Sequence, residues 1–254
     1  MLVVHQTRYE ALAFLRNGQA RFFTLVLPVM FLVIFVSVFG NARLGPEHVR
    51  AATYYVPGIS ALAVISASFT NLVIAVVTQR ELGILKRRRA TPVPAWVLIA
   101  GRTLTAIATS LLVVAVLLAI GRFAYGVRLP TSSLPAFAVT AVVGAAAFAC
   151  LAYAISAFIS TAEGAQPVVL ALTLPLYFIS GVFVPSIRLP HWLHLVARIF
   201  PVEHLAAGLH RAFDPVSGGA GIGWRDLAVL AAWGIAGLII AVRRFPWTPT
   251  GTGR

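Results

Sequence analysis

The chain reads as an all-α polytopic membrane protein: six transmembrane helices, an interfacial helix at the N-terminus and a re-entrant helical pair before the last span. Three observations predict this. Apolar residues fill 59% of the 254 positions and charged ones only 11%, with a mean hydropathy of +0.91; ordinary soluble domains carry about a quarter charged residues. The apolar residues gather in runs of roughly 20, which at about 1.5 Å rise per residue cross about 30 Å of hydrocarbon. Most of the charges lie between those runs, and no Asp or Glu falls in the interior of any of them.

Residues 1–20 place Tyr9, Leu12 and Ala13 on one helical face and Gln6, Glu10 and Asn17 on another, as in a helix lying at the inner membrane surface. Arg8, Glu10, Arg16 and Arg21 interrupt this stretch, so no cleavable signal peptide is expected. The first span is placed at 22–40, with Pro28 expected to kink it. A polar loop, Asn41–Thr53, leads to the second span at 54–78, whose interior holds Ser60, Ser66, Ser68, Thr70 and Asn71. Such groups bond neighbouring helices or their own backbone; Asn71 is also a candidate for lining a substrate path.

The segment 79–94, QRELGILKRRRATPVP, is the one strongly charged run, with the sole lysine, Lys86, and Arg87, Arg88 and Arg89 in succession. It is expected to be a cytoplasmic loop that sets orientation and offers a docking element to a soluble partner. The third span, 96–120, opens on the interfacial anchor Trp96, and Arg102 is expected to snorkel to the interface of Arg87–Arg89. The fourth, 134–159, repeats Ala141, Ala145 and Ala149 at four-residue spacing, which predicts close helix packing. A short connection, Ser160–Ala165, carries Glu163, and the fifth span, 166–184, contains Pro167 and Pro175.

Residues 186–213 differ from the spans. Trp192, Leu195, Val196 and Ile199 share one helical face, and Val202, Leu205, Ala206 and Leu209 repeat the pattern after Pro201. Each piece is too short to span, so two amphipathic helices broken at Pro201 are expected in the membrane interface. A flexible loop at Gly218–Gly223 precedes the last span, 224–242, which ends on Arg243 and Arg244.

Six spans put both termini on one side. That side receives Arg8, Arg16, Arg21, Arg80, Lys86, Arg87, Arg88, Arg89, Arg243, Arg244 and Arg254, eleven cations against eight on the other. The cluster in the short loop then predicts that both termini are cytoplasmic.

Several chemistries are set aside. Without an intramembrane carboxylate, proton or sodium coupling is not expected. No Gly-Lys-Ser/Thr phosphate loop occurs, since the only lysine follows Leu85. His191, His194, His204 and His210 do not align with Glu203 as a metal set and are expected to be interfacial polar residues, so no metal is expected. No catalytic residues can be assembled from the seven acids, and the lone Cys150 excludes an intrachain disulfide. The formal charge of +13 is spread through short loops, without a basic domain for nucleic acid.

Two stretches carry a resemblance. RELGILKRRRATPVPAWVLIAGR resembles the loop between the second and third spans of ABC-2 type transporter permeases, and SGVFVPSIRLPHWLHLVARIFPVEHLAAGLHR resembles the segment after their fifth span. Order, spacing and layout agree over nearly the whole chain, and small drug- or antibiotic-exporter permeases are the nearest subtype. The resemblance implies the membrane subunit of an exporter of a lipophilic or amphipathic compound, driven by two copies of an ATP-binding subunit and paired with a second permease, identical or homologous. ATP and Mg²⁺ would be held by the partner, with no cofactor on this chain. Arg80, Glu81, Leu82, Gly83, Leu85, Lys86 and Arg87 would form the main coupling element, with Thr161 and Glu163 in a smaller one. The segment 186–213 would cap the exit path, and Phe69, Asn71, Tyr177 and Phe178 are the expected substrate-path residues. The alternatives are export of a polysaccharide or glycolipid, and a non-transporting membrane scaffold or sensor.

Overall fold

In a medium without water every backbone N–H and C=O must find its partner inside the segment, so long apolar runs become helices. The computed structural model describes residues 16, 18–39, 43–44, 49–85, 95–129, 131–184, 190–213 and 222–244. Helix begins with Gly18–Arg21, widens into a π turn at Phe22–Val26 and continues as α1, Leu27–Phe39. A two-residue antiparallel pair follows, β1 (Arg43–Leu44) with β2 (Val49–Arg50). Next come α2 (Ala51–Ile65), a second π turn (Ser66–Thr70) and α3 (Asn71–Glu81), in line as one long helix. The remaining helices among the described residues are α4 (Ala95–Tyr125), α5 (Leu134–Ser156), α6 (Ala162–Ile179), α7 (His191–Ala197), α8 (Pro201–Phe213) and α9 (Trp224–Arg244).

The all-α polytopic reading holds, with a difference in the first span. Among the described residues five helices are long and apolar enough to cross a membrane: Ala51–Glu81, Ile99–Tyr125, Leu134–Ser156, Ala162–Ile179 and Trp224–Arg244. The sixth expected span corresponds to a shorter apolar helix, Thr24–Phe39, which at about 1.5 Å per residue reaches roughly 24 Å. The π turn just before Pro28 gives room to a ring that would otherwise meet the carbonyl one turn back, so the expected kink takes the form of a widened turn. The expected N-terminal interfacial helix at 1–20 lies almost wholly outside the described residues.

Helix α2 is the centre of the packing: all but one of its residues are buried, with α1, α4 and α8 against it. Its hydroxyls turn back on their own helix, Ser60 to the Val56 carbonyl at 2.7 Å and Ser68 in the π turn to that of Val64 at 2.6 Å, which removes the cost of an unpaired hydroxyl in apolar surroundings. Helix α5 is the second hub, carrying α9 along one side. The alanine series behaves as expected, Ala141, Ala145 and Ala149 being fully buried. A different face of α5 meets glycines of α9: a methyl group added at Gly237 would lie 2.9 Å from the Leu151 nitrogen, and one at Gly234 3.1 Å from Ala147 Cα. Backbone meets backbone along this seam.

The 186–213 segment does break at Pro201 into two short helices. Their apolar stripes face opposite ways. On α8, Val202, Leu205, Ala206 and Leu209 are buried against the bundle, whereas Trp192 and Leu195 of α7 and Ile199 in the turn after it point outward, 65, 49 and 61% exposed. An outward apolar stripe beside polar neighbours is what the membrane interface accommodates.

Candidate functional site

Adjacent residues on an α-helix point about 100° apart, so three in a row reach three different neighbours. The last three residues of α3 do this. Gln79 Oε1 accepts from Arg102 Nη2 of α4. Arg80 extends to the C-terminal end of α5, donating from Nη1 to the Ser156 carbonyl at 2.8 Å and from Nη2 to those of Ile159 and, at 3.4 Å, Ser160. The Glu81 carboxylate turns to the start of α6 and accepts from the Ala162 N–H at 2.6 Å.

The chemistry of the two charged arms follows from the helix ends they meet. A helix leaves its last four carbonyls unpaired and is negative at that end. At the end of α5 all four are taken: Tyr153 O by Ser156 Oγ at 2.8 Å, Ala154 O by Ala157 N at 3.2 Å, Ile155 O by Phe158 N at 3.0 Å, and Ser156 O by Arg80. A cation fits there. The start of α6 is positive and leaves N–H groups open, so an anion fits. Glu81 takes one, and Thr161 Oγ1 takes that of Gly164 at 3.2 Å as the N-cap. Glu163 adds a second carboxylate to the same first turn.

The expected coupling residues therefore divide. Arg80, expected on a docking surface, has a fully buried side chain. Glu81, Thr161 and Glu163 are exposed beside one another's helix ends, and Leu82 is 61% exposed. Gly83 ends α3 at φ +68°, its N–H bonded to the Arg80 carbonyl at 3.0 Å, a left-handed stop that favours glycine. Leu85 is buried, and Lys86 and Arg87 lie outside the described residues. Arg102, expected to snorkel, is instead buried and tied to Gln79, because a polar partner stands closer than water.

Of the expected path residues, Tyr177 and Phe178 come together around Phe183, at ring distances of 5.9 and 5.3 Å. Phe69 packs elsewhere, on Phe148 of α5 at 6.2 Å. Asn71 donates its amide to the buried Thr24 in the first π turn, the interhelical bond that was the other reading of its position.

The histidines are not all interfacial. His204 is buried, with Nδ1 2.8 Å from Asp226 Oδ1 and Nε2 2.9 Å from the Arg198 carbonyl; Arg211 stands 3.2 Å from the other Asp226 oxygen. This ties α8 and the turn before it to the first turn of α9. His210 donates from Nε2 to the Gly181 carbonyl at 3.2 Å, which the Tyr54 hydroxyl also reaches at 2.9 Å. Burial pushes His210 down to about 4. Both departures have one cause: α8 is covered by α2, α5 and α9, so its polar face is inside as well. Among the described residues no three His, Cys, Asp or Glu side chains group to hold a metal.

Gln79, Ser156 and Asp226 were not singled out as site residues. Adjacent opposite charges at the end of an apolar helix were the one available signal for the first; Asp226 lies 22 residues from His204 and gives none.

Comparison with known proteins matches residues 2–213 to the family described as ABC-2 type transporter. The inner membrane transport permease YadH of Escherichia coli (strain K12) is 25% identical over 236 residues, 91% of this chain and 88% of that protein. The probable multidrug ABC transporter permease YbhR of the same strain is 26% identical over 151 residues, 59% of this chain and 41% of that protein.

Proposed function

The chain belongs to the ABC-2 type transporter family, and from that premise we propose that it is the membrane subunit of an exporter that moves a lipophilic or amphipathic compound out of the cell, energised by a separate ATP-binding subunit. Membership makes it a multi-pass permease subunit of an ABC transporter, in line with its apolar helices; cargo class, direction and assembly are the proposal. The observation that carries it is the end of the bundle where α3 stops and α5 passes to α6. Two exposed segments, around Leu82 and around Phe158–Glu163, are bound to each other there, so one soluble partner can press on both. We take this end as cytoplasmic because the Lys86–Arg89 cluster adjoins it. Two copies of this chain, or this chain and a homologue, would enclose the path between them, with two ATP-binding subunits beneath.

An apolar cargo is favoured because the outward faces of α6 are Val168, Leu170, Leu172 and Leu174. The printed description of YbhR as a probable multidrug permease points the same way. The test is purification of the tagged chain with a co-expressed ABC ATP-binding subunit, followed by ATP-driven uptake of a lipophilic cationic dye into inside-out vesicles. A complex that takes up dye supports the proposal; a chain that purifies without any ATP-binding subunit refutes it.

A further inference from the structure

We propose that Gln79, Arg80 and Glu81 are positioning residues that form a rigid joint, making the end of α3 and the link 157–161 move as one body, so that a push on either reaches α4, α5 and α6 together. This rests on the reading of that end as the place where an ATP-binding subunit acts.

The joint is built from both sides. Arg80 grips the outgoing side of the link through Ser156, Ile159 and Ser160, and Glu81 grips the far side through Ala162. Because the two residues are neighbours on one helix, the link is held between adjacent backbone positions and has little freedom to slide along α3. The grip is uneven. Arg80 is fully buried, where its bonds are strengthened by the low surrounding dielectric. Glu81 is exposed and, among the described residues, holds by the bond to Ala162. Helix α6 depends on that bond more than α5 does on any one of its own, since α6 packs chiefly on α3 and α5 has α9, α8, α4 and α3 around it. Motion given to α5 travels on through the glycine seam to α9 and through Leu205, seated over Gly144, to α8 at the other end. Loss of Glu81 should therefore free α6 from the drive while the bundle stays folded.

The test uses the full chain with Cys150→Ser, assembled with its ATP-binding subunit in lipid nanodiscs, with ATP hydrolysis by the complex as the readout. Glu81→Ala is expected to assemble normally but to lower hydrolysis about tenfold, toward that of the free ATP-binding subunit, and Glu81→Gln, which keeps an oxygen for Ala162 N–H, to recover most of it. The double variant Glu81→Cys with Ala162→Cys is expected to be as slow when reduced, and to return to within about twofold of the parent when the two thiols are bridged by a short bifunctional thiosulfonate. Bridging restores a joint, which a residue needed only for folding would not show. Full activity of Glu81→Ala overturns the inference, and so does arrest by the bridge, since the contact would then have to open in each cycle. If the parent chain itself fails to assemble with an ATP-binding subunit, the functional reading falls first.

Discussion

Removing the Arg80 guanidinium should cost the fold far more than removing its charged neighbour. Two of its bonds, to Ser156 and Ile159, are direct and buried, and a third, to Ser160, is longer. Hydrogen bonds from a charged group contribute about 1.5–3 kcal/mol each, and carbonyls left without a donor inside the protein add to the loss. Against this stands relief from keeping a cation out of water, which is worth several kcal/mol. The balance for Arg80→Met is a loss of about 2–4 kcal/mol. Arg80→Lys retains the charge but reaches fewer carbonyls, and should lose about 1–2 kcal/mol. Glu81→Ala, on the exposed side, should lose no more than about 1 kcal/mol. For a chain of this size a loss of 1 kcal/mol lowers Tm by about 2–4 °C. We predict that thermal denaturation in detergent, followed by tryptophan fluorescence, ranks the variants Met below Lys below Ala at 81, and that hydrogen exchange accelerates at residues 157–161 in the Arg80 variants alone. An Arg80→Met protein that melts with the parent would refute the assignment of the guanidinium as the cap of α5.

Other predictions concern the seam, the buried histidine and the orientation. Gly237→Val should separate α9 from α5, because even one added carbon meets the Leu151 nitrogen at 2.9 Å; we expect a loss of about 2–3 kcal/mol, seen as a lower Tm and a broader gel-filtration profile, while Ile239→Val on the exposed face should change little. The His210 ring is held neutral, with its value lowered from 6.5 to about 4. The unfolded chain therefore takes up the proton first, so the contribution is complete above about pH 6.5, declines toward pH 4 and amounts to at most about 3 kcal/mol. Tm measured at pH 7.5 and 5 should fall more in the parent than in His210→Gln; parallel curves would refute it. With Cys150 replaced, Ser132→Cys should react with an impermeant maleimide on intact cells and Thr252→Cys should not; the reverse pattern would invert the proposed orientation.

What was legible in the sequence was whatever the solvent dictates. Apolar length marked the long helices, because a bilayer enforces that length, and Pro201 marked a break, because proline favours the first turn of a helix, where its missing N–H costs nothing. The four-residue alanine series on α5 foretold a buried face, whereas the seam with α9 runs along a different face of α5, where Gly234 and Gly237 meet Ala147 and Leu151, and one chain alone gives no means of pairing those positions. Arg80 was misjudged for a physical reason. Counted with Lys86–Arg89 it is one more cation near the interface, and only the tertiary fold distinguishes a guanidinium facing water from one facing three carbonyls. Arg102 follows the same rule through Gln79. His204 was read as interfacial because an amphipathic pattern fixes which side is apolar but not whether the polar side is wet. Asp226, on another helix, supplies its partner.

The Arg80 contacts also impose an order on the making of the molecule. Its acceptors are synthesised 76 to 80 residues after it, and the Ala162 N–H that Glu81 holds comes 81 residues after that carboxylate. Through the whole emergence of α4 and α5 the guanidinium has no carbonyl to enter, and water at the membrane surface is its best available environment. The aqueous end of α3 therefore waits without its buried anchor, and closure there must await the turn toward α6. A nascent chain stopped short of Ser156 presents an unburied cation at the aqueous face, the feature by which an incomplete copy differs from a finished one.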